Sequence, residues 1–372
     1  MTKPRRIGIV CTAPGNGGLE LFTLQLAKSL RALGWEVHLL LNQQSNIYAL
    51  AKESLPATAI QEFKRAKNSA VIVRQWNRHL KLDLLFTSYN KDIKPLSIYK
   101  RWYHRSCKLV YQQHMKVGVK KRDIIHRLRY QMLDLWMAPL VYLREETIEK
   151  TTVLASKIRL VPVGLELEKF SKEKLSRQEA RAVLQLPETA IIIGCLGRID
   201  PKKGQDFLIQ ALATLKEDTR LVVLIMGNIT AHEGDNWIEK LMQLVNELGL
   251  NNRVYFKPYQ KDVMPFYQAI DVFAMPSHGE TYGLVTLEAM YCEKPVIGVN
   301  TDGTRALLEE GTYGWLHELG DVSGFATQLY DIINNQVSTQ HKIAAAKMNV
   351  IAQYDFNDTI QLMDTYLQEL LK

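Results

Sequence analysis

Short apolar runs alternate with helical patterns along most of the chain. The run "RIGIVCT" (residues 6–12) precedes "LELFTLQLAKSLRALG", whose apolar positions recur every three or four residues and which stops at Gly34. Further strand-like runs are "EVHLLLN", "LDLLFTS", "AIIIGCLGR", "RLVVLIMG", "NRVYFKP", "DVFAMPS" and "KPVIGVN". Runs that are apolar on both faces and separated by helices are typical of a parallel sheet covered on both sides. The pattern therefore predicts an α/β fold.

The alternation restarts near residue 190, which indicates two domains. At 372 residues the chain is too long for one ordinary core, and residues 164–186 hold a charged, polar stretch after a Pro-Val-Gly turn. We predict two Rossmann-like doubly wound parallel-sheet domains that face each other across a cleft. The N-terminal domain covers residues 1–170 and the C-terminal domain residues 171–355. Residues 356–372 form an amphipathic helical pattern, and we expect this helix to pack back on the N-terminal domain.

Charge separates the two halves. The chain is 47% hydrophobic and 23% charged, which is typical of a folded globular protein, and its formal net charge is +8. Residues 1–160 contain 28 Lys and Arg against 11 Asp and Glu, a balance of +17, and the rest of the chain has a balance of −9. A division of this kind indicates that the halves meet different partners. We expect the N-terminal half to face an anionic one.

No segment has the length of a targeting or membrane-spanning sequence. The apolar run near the N terminus ends after six residues at Thr12, and the apolar residues 132–143 include Asp134 and are too few to span a bilayer. The four cysteines lie far apart, which favours reduced thiols over disulfides or a zinc site. We expect a cytoplasmic protein, and association with the cytoplasmic face of the membrane is a further expectation.

Ligands of doubly wound domains bind at the carboxyl ends of strands, where loops lead into helices. After the first strand, "CTAPGNGGLE" places Gly15, Gly17 and Gly18 before a helix. Glycines at such a position let backbone N–H groups approach an anion. The spacing is not GxGxxG, and a plain tight turn explains the glycines equally well.

A second strand end carries fixed positive charge. In "GCLGRIDPKKGQD", Arg198 follows the strand and Lys203 comes five residues later, at the start of the next helix. Cations beside a helix N terminus suit a diphosphate, because Arg binds it in a forked geometry. A solvated surface turn is the alternative, and the adjoining Gly197 and Gly204 favour the anion site.

A third strand end carries two carboxylates. In "SHGETYGLVTLEAM", Glu280 lies in the loop beyond the strand, Gly283 begins a helix, and Glu288 lies more than one turn into it. The helix start suits a phosphate, and a carboxylate accepts the two hydrogen bonds of vicinal hydroxyls on a ribose or hexose. An exposed helix charge is the alternative for either glutamate alone. Together with the two cations, the pattern predicts a nucleotide-sugar site.

The stretch "GETYGLVTLEAM" resembles the glutamate–seven residues–glutamate motif of the retaining family 4 glycosyltransferases (glycosyl transferase group 1), which adopt the GT-B fold. Three further segments resemble the family and occur in its order. "PGNGGLELFTLQLAKSL" is similar to its N-terminal glycine loop, "LVPVGLELEKF" to the segment before the second domain, and "GRIDPKKGQD" to its phosphate-binding Arg and Lys. The matching motifs span nearly the whole chain.

The resemblance implies roles for individual residues. Arg198 and Lys203 would neutralise the donor diphosphate, Glu280 would contact the transferred sugar, and Glu288 would hold the ribose. Further donor contacts are implied for Gly17, Gly18, Thr281, Tyr282, Gly283 and Leu284. The family usually has a histidine near the reacting sugar, and His114, just past a predicted strand, occupies that place, so Glu280 and His114 are the expected catalytic residues. A purely structural histidine is the alternative.

The chain also departs from the family pattern. Tyr282 stands where Phe or Trp is frequent, and Cys292-Glu293 stand where a small residue and a glycine are common. No aspartate stands two residues before another, so the DxD motif that holds a divalent cation in glycosyltransferases of the other major fold is absent. We expect no metal and no other cofactor, because Arg198, Lys203 and helix N termini would stabilise the leaving diphosphate.

The implied reaction moves a hexose from a nucleoside diphosphate sugar, with a UDP-sugar as the favoured donor, to a glycan or glycolipid with retention of configuration. By the resemblance the departing phosphate itself deprotonates the incoming hydroxyl. The acceptor is expected on the N-terminal half, where "SIYKRWYHRSCK" and "KVGVKKRDIIHRLRYQM" mix aromatic and basic residues. Such residues suit an anionic membrane surface, so a lipid-linked sugar or a lipopolysaccharide core is the expected acceptor. A solvated basic face is the alternative.

Two other functions stay open. A nucleotide-sugar epimerase of the same fold would bind the donor without a large acceptor. A non-catalytic protein would use the basic face for lipid or RNA, although the sequence holds no nucleic-acid motif and we expect no nucleic-acid partner. Loss of activity when Glu280 is neutralised would separate an enzyme from a binding protein, and acceptor dependence would separate a transferase from an epimerase.

Overall fold

The structure is a computed structural model that describes residues 5–15, 17–63, 69–171, 175–229 and 236–372, apart from the side chain of Ser69. The chain divides into two compact units. Unit 1 consists of Met1–Val163 and Asn357–Lys372, and unit 2 is Gly164–Phe356.

Unit 1 is built on a seven-stranded sheet in which every pairing is parallel. Its strands are β1 (Arg6–Cys11), β2 (Glu36–Asn42), β3 (Ile60–Phe63), β4 (Leu84–Thr87), β5 (Lys108–Gln112), β6 (Leu135–Ala138) and β7 (Ile158–Leu160). Its helices up to residue 163 are α1 (Gly18–Ala32), α2 (Asn46–Ser54), α3 (Ser69–Leu80), α4 (Ile93–Tyr103), α5 (Ile124–Tyr130) and α6 (Val141–Lys150). The strand order is β3-β2-β1-β4-β5-β6-β7.

Unit 2 is built on a six-stranded sheet, also parallel throughout. Its strands are β8 (Ile191–Leu196), β9 (Leu221–Met226), β10 (Val254–Lys257), β11 (Val272–Met275), β12 (Val296–Val299) and β13 (Trp315–His317). Its helices are α7 (Arg177–Val183), α8 (Gln205–Thr214), α9 (Trp237–Glu247), α10 (Met264–Ala269), α11 (Leu284–Tyr291), α12 (Asp302–Leu307), α13 (Val322–Asn334) and α14 (Gln336–Gln353). The strand order is β10-β9-β8-β11-β12-β13. The predicted pair of doubly wound parallel-sheet domains is confirmed.

Each sheet has a buried core because its central strands carry apolar side chains on both faces. All residues of β4, β9 and β11 are buried. The helices cover these faces with apolar side chains such as Val73 and Leu96 in unit 1 and Leu208 and Leu241 in unit 2. This two-sided burial is the reason why the strands read as continuous apolar runs rather than as alternating ones.

The division between the units lies at 163/164, a few residues before the predicted 170/171. Leu165 N donates to Tyr354 O at 2.7 Å, and Phe356 N donates to Leu165 O at 3.0 Å. The Phe170 ring packs on Tyr267, with ring centroids 6.4 Å apart. These contacts attach residues 164–170 to unit 2. The chain passes between the units twice, and the backbone hydrogen bonds of Leu165 join the two crossing segments.

The final helix, α15 (Phe356–Leu370), lies in unit 1 from Asn357 onward. Trp35 Nε1 donates to Asp364 Oδ1 at 2.6 Å, and the Arg159 guanidinium lies 5.9 Å from the centre of the Tyr366 ring. A segment far along the chain therefore completes the unit that begins at residue 1.

Two further expectations concern membranes and thiols. Within the described ranges, no helix has both the length and the apolar character needed to cross a bilayer. The apolar residues 132–143 instead contain β6. Cys11, Cys107 and Cys195 are buried free thiols, as the cysteine spacing predicted.

Candidate functional site

The strand order of unit 2 places its switch point between β8 and β11. In open α/β sheets, ligands bind outside the carboxyl ends of the strands at that point. β8 ends at Leu196 and β11 ends at Met275. The loops that follow these two strands carry Arg198, Lys203 and Glu280, so the topology brings together motifs that lie far apart in the sequence.

Hydrogen bonds hold the two loops against each other. The Asp200 carboxylate accepts from Lys202 N at 2.9 Å and so fixes a 3-10 turn, Pro201–Lys203. The Lys202 carbonyl accepts from His278 N at 2.9 Å and from Ser277 Oγ at 3.1 Å. The first loop is therefore a scaffold for the second.

Lys203 and Glu280 form an ion pair across these loops. Lys203 Nζ lies 2.5 Å from Glu280 Oε2, and the side chains are 22% and 18% exposed. The structure thus unites a cation and a carboxylate that sequence analysis took from separate motifs. The Lys203 ammonium has three N–H donors. An incoming phosphate oxygen would therefore accept from it alongside Glu280 or in place of Glu280.

Arg198 presents its guanidinium to solvent at the same strand end. Its side chain is 61% exposed, and Nη2 lies 3.8 Å from Asp200 Oδ2. A long, exposed ion pair of this kind holds a side chain weakly. The Arg198 backbone is fixed, because its carbonyl accepts from Gln205 Nε2 at 2.8 Å. An exposed, weakly held guanidinium on a fixed backbone suits capture of an anion.

The start of α8 packs very closely on the loop after β11. Gly204 precedes this helix with φ +68°, and a Cβ there would lie 2.1 Å from the Pro276 carbonyl oxygen. Only glycine allows both the left-handed backbone and this approach. Gly204 therefore sets the spacing between the two loops of the switch point.

The N terminus of α11 is open to a ligand. Gly283, with φ +89°, precedes the helix and has no side chain of its own that could cap it. Uncapped N–H groups at a helix start attract anions. Thr286 Oγ1, in the first turn, is buried and has no hydrogen-bond partner in the described part of the chain. Of the other predicted donor residues, Tyr282 is buried, and Thr281 and Leu284 are half-buried.

The loop of Glu280 rests on the start of α12. Gly303 N donates to the Glu280 carbonyl at 2.8 Å. A Cβ on Gly303 would lie 2.7–2.8 Å from the carbonyl oxygens of Glu280, Thr281 and Tyr282. Sequence analysis missed Gly303, although "NTDGT" after the strand "PVIGV" repeats the pattern of a glycine at a strand end.

Glu288 is held by Tyr267 of α10. The Tyr267 hydroxyl donates to Glu288 Oε2 at 2.7 Å and also lies 3.2 Å from the Val285 carbonyl. Burial raises the pKa of Glu288, and the hydrogen bond from Tyr267 opposes that rise. A carboxylate with one oxygen already engaged can accept from a ligand hydroxyl with the other. Tyr267 is a positioning residue that sequence analysis missed.

In unit 1 the glycine loop before α1 is bonded to a carboxylate of the same helix. Gly17 N donates to Glu20 Oε2 at 2.9 Å, so the protein's own carboxylate caps α1. The N–H that we expected to approach an anion is therefore already bonded. A Cβ on Gly18 would meet nothing within 4 Å, so the unit itself gives no steric reason for glycine at that position.

The switch point of unit 1, between β1 and β4, holds a buried carboxylate that sequence analysis missed. Asp92 accepts from Thr12 N at 3.0 Å and from the Thr12 hydroxyl. Burial raises the pKa of Asp92 to about 6, although these hydrogen bonds act against the rise. Asp92 ties the loop after β1 to the start of α4.

His114 follows β5 in unit 1 and packs on Phe22 of α1, with ring centroids 5.0 Å apart. Burial lowers the pKa of His114 to about 4, so its imidazole is neutral at pH 7. Its Nε2 is buried and has no partner among the residues that the structure describes. Such a nitrogen is suited to a hydrogen bond with a ligand. The predicted residues of unit 2 lie together, and the approach of Gly17, Gly18 and His114 to the donor stays a prediction.

Comparison with known proteins gives a family match in unit 2. Residues 176–349 match the family model of the glycosyl transferases group 1. The D-inositol 3-phosphate glycosyltransferase of Saccharomonospora viridis is 37% identical over 179 residues, which are 46% of this chain and 41% of that protein. The enzyme of the same name from Corynebacterium urealyticum is 34% identical over 220 residues, or 57% of this chain and 51% of that protein. The chain thus spans about half the length of these curated relatives.

Solved structures match along almost the whole chain. Anabaena HepE in complex with UDP has a TM-score of 0.87 at 21% identity and covers 98% of this chain and 100% of its own. The same protein with UDP-glucose has a TM-score of 0.83 at 22% identity, covering 98% of this chain and 99% of its own. A glycosyltransferase from Rickettsia africae has a TM-score of 0.87 at 19% identity and covers 99% of both chains. At this level of identity the matches establish the fold, which is GT-B.

Proposed function

We propose that this chain, whose residues 176–349 match the family model of the glycosyl transferases group 1, transfers a hexose from a nucleoside diphosphate sugar to an acceptor hydroxyl. The observation that carries the proposal is the ion pair of Lys203 and Glu280 at the switch point of unit 2. Beside it lie the exposed guanidinium of Arg198 and the uncapped start of α11. Cations, a helix N terminus and a carboxylate are the groups that a diphosphate and a sugar require.

In this proposal, different parts of the donor contact different loops of unit 2. Arg198 and Lys203 bind the diphosphate, the N–H groups after Gly283 bind a phosphate oxygen, and Glu288 accepts from the ribose hydroxyls. Glu280 contacts the transferred hexose. We favour uridine as the base because Anabaena HepE, which shares the fold, is described with UDP and UDP-glucose.

We further propose that the anomeric configuration is retained. The bond from the anomeric carbon to the phosphate oxygen breaks, the bond to the acceptor oxygen forms on the same face, and the acceptor proton passes to the leaving phosphate. Arg198, Lys203 and the helix N terminus stabilise the charge that develops on the diphosphate. The support from His114 in unit 1, which the family resemblance implies, stays part of the proposal.

The acceptor is a separate part of the proposal. The two relatives described above carry the name D-inositol 3-phosphate glycosyltransferase. That name favours a phosphorylated polyol over the glycan or lipopolysaccharide core expected from the sequence, and we propose a phosphate-bearing acceptor. A cytoplasmic location and contact with an anionic membrane stay predictions.

Nucleotide binding tests the donor site directly. We would measure the thermal stability of the full chain with UDP, GDP, ADP and CDP. A nucleotide at a hundred times its dissociation constant adds about 2.7 kcal/mol of stability. We expect UDP to stabilise the wild type and to lose this effect in Arg198→Ala. Arg220→Ala is the matched control, because the Arg220 side chain is also 61% exposed but pairs with Asp218 away from the site. Absence of a shift with every nucleotide would contradict the proposal.

Turnover tests the chemistry. Lys203→Gln should lower kcat roughly a hundredfold or more, as loss of one charge-stabilising donor does in other enzymes. Lys202→Gln is the control, because Lys202 contributes its backbone to the loop and its side chain is exposed. Sugar transfer that requires an acceptor separates a transferase from an epimerase. Equal activity of the two variants would remove Lys203 from the mechanism.

A further inference from the structure

Unit 1 contains a cavity that the donor site does not use. Its volume is about 310 Å³, and it lies among the loop after β4, the first turn of α4, the loop after β5, and α5. This volume is at the lower end of the roughly 300–1,000 Å³ typical of small-molecule sites. Part of its wall is aromatic, formed by the buried rings of Tyr111, Tyr130 and Trp136. The Trp136 ring contacts the other two edge to face, with centroids 4.7 and 5.7 Å away, so this wall is rigid.

The other walls of the cavity are cationic. Five basic side chains line it: Lys91, Lys94, Lys116, Lys121 and Arg129. His126 also lines it and pairs with Asp123, which caps α5 outside the cavity. No carboxylate side chain in the described ranges lines the cavity.

Most of these cations are not neutralised by the protein. In the part of the chain that the structure describes, Lys94, Lys121 and Arg129 form no ion pair, and the Lys91 ammonium lies 5.8 Å from the centre of the Tyr89 ring. Cations gathered in a concave site concentrate positive potential there and repel one another. A bound anion removes that repulsion, and ammonium and guanidinium groups together suit a phosphate.

We propose that this cavity binds the phosphate group of the acceptor, with the aromatic wall against the carbon atoms that carry it. The inference rests on the proposed function and adds to it the place and the chemistry of acceptor recognition. Met115, Lys116 and Val117 line the cavity and follow His114 directly in the chain. An acceptor held there lies beside the histidine for which the resemblance implies a role near the reacting sugar.

The phosphate can come from two sources. One is a soluble phosphorylated polyol, and the other is a lipid headgroup. The second source is included because Met115, Val119 and Ile124, on the loop and helix of the cavity, are 63%, 72% and 65% exposed. Exposed apolar side chains among cations are typical of a surface that meets a bilayer.

Paired probes test the phosphate requirement. We would titrate the full chain with D-inositol 3-phosphate, with inositol and with inorganic phosphate, and follow the heat of binding. We would also measure sedimentation with vesicles of phosphatidylcholine alone and with vesicles of equal parts phosphatidylcholine and phosphatidic acid. Binding of the soluble phosphates but not of inositol assigns a soluble acceptor. Binding only to the phosphatidic acid vesicles assigns a lipid phosphate. Equal binding of inositol and its phosphate, with no preference between vesicles, overturns the proposal.

A matched pair of double variants locates the site. Lys94→Ala/Arg129→Ala removes one lining cation from α4 and one from α5, and should weaken phosphate binding by about tenfold for each cation. Arg101→Ala/Arg127→Ala removes one cation from each of the same helices but none from the cavity. An equal loss in both double variants, or none in the first, overturns the assignment.

The UDP shift, measured on the same samples, keeps this inference distinct from the proposed function. A UDP shift without phosphate binding refutes the cavity and leaves the donor site standing. Phosphate binding that depends on Lys94 and Arg129, without a shift with any of the four nucleotides, supports the cavity and contradicts the proposed donor site.

Discussion

The neighbouring lysines in "DPKKGQD" make different contacts in the structure. Lys203 directs its ammonium to Glu280, whereas Lys202 accepts through its carbonyl from His278 and Ser277. The family motif predicted the role of Lys203, because Lys203 and Arg198 lie within one short segment of the sequence. It did not predict Tyr267 as the partner of Glu288, because this contact arises from the packing of α10 against α11 and Tyr267 lies outside the motif. The cap of Glu20 on Gly17, by contrast, was present in the sequence as an acidic residue three positions after the N-cap residue Gly17.

The buried imidazole of His114 predicts a pH dependence of stability. Its pKa in the folded chain is about 4, below the ordinary value of 6.5. The stabilisation is therefore present above pH 6.5 and is lost as the pH falls toward 4, because protonation then favours the unfolded chain. The loss should reach roughly 3 kcal/mol near pH 4.

The test compares urea unfolding of the wild type and His114→Phe between pH 7 and pH 4.5. The phenyl ring keeps the packing on Phe22, so this variant should lose less stability than the wild type as the pH falls. The exposed His79 provides the control, because His79→Phe leaves His114 intact and should keep the wild-type profile. Parallel curves for the wild type and His114→Phe would show that His114 does not cause the dependence.

Most strands with two buried faces were predictable, whereas the short edge strands β3, β7 and β13 were not. β2 matches "EVHLLLN" residue for residue, and β8, β9 and β11 lie within their predicted runs. β3, β7 and β13 have only three or four residues, and each includes exposed or half-buried positions, so their apolar signal is weak. The turn after α11 forms although glycine is missing. Glu293 there takes φ +58°, which a non-glycine residue adopts at a cost of about 1 kcal/mol.

The start of α8 gives a prediction at the scale of elements. Gly204 and Gly249 both have φ +68°, but only at Gly204 would a Cβ collide with a carbonyl oxygen. Ala at either position should cost about 1–2 kcal/mol for the left-handed backbone. Gly204→Ala should cost roughly 1–3 kcal/mol more because the loops must move apart. Urea unfolding measures the difference, and only Gly204→Ala should also weaken the UDP shift. Equal losses of stability would contradict the close approach of α8 to the Pro276 carbonyl.

For the whole molecule, the two units differ most clearly in how their basic residues are distributed. The sequence alone located the excess of basic residues in the first half of the chain. It did not locate the cavity that Lys94 and Arg129 line, since these residues lie on different helices. In unit 2, Arg198 and Lys203 both follow the carboxyl end of β8. In the proposed reaction, Arg198, Lys203 and the start of α11 stabilise the leaving diphosphate.

A chelator tests whether those groups suffice. Among the residues that the structure describes, no three His, Cys, Asp or Glu side chains are grouped so as to hold a metal ion. We predict that sugar transfer keeps its rate after dialysis against EDTA and that added magnesium does not raise it. A loss on chelation that magnesium restores would show that a cation, bound with the donor, supplies part of the charge stabilisation.

The double passage of the chain between the units has a consequence for biosynthesis. A ribosome releases residues 164–356 before residues 357–372, so unit 2 is complete while unit 1 still lacks α15. Domains generally fold in the order in which they are made, and here the unit that is started first is finished last. Until Asp364 reaches Trp35, the nascent unit 1 keeps an indole without its hydrogen-bond partner. A premature stop after residue 356 would spare unit 2 and damage unit 1, whose first residues are encoded at the other end of the message.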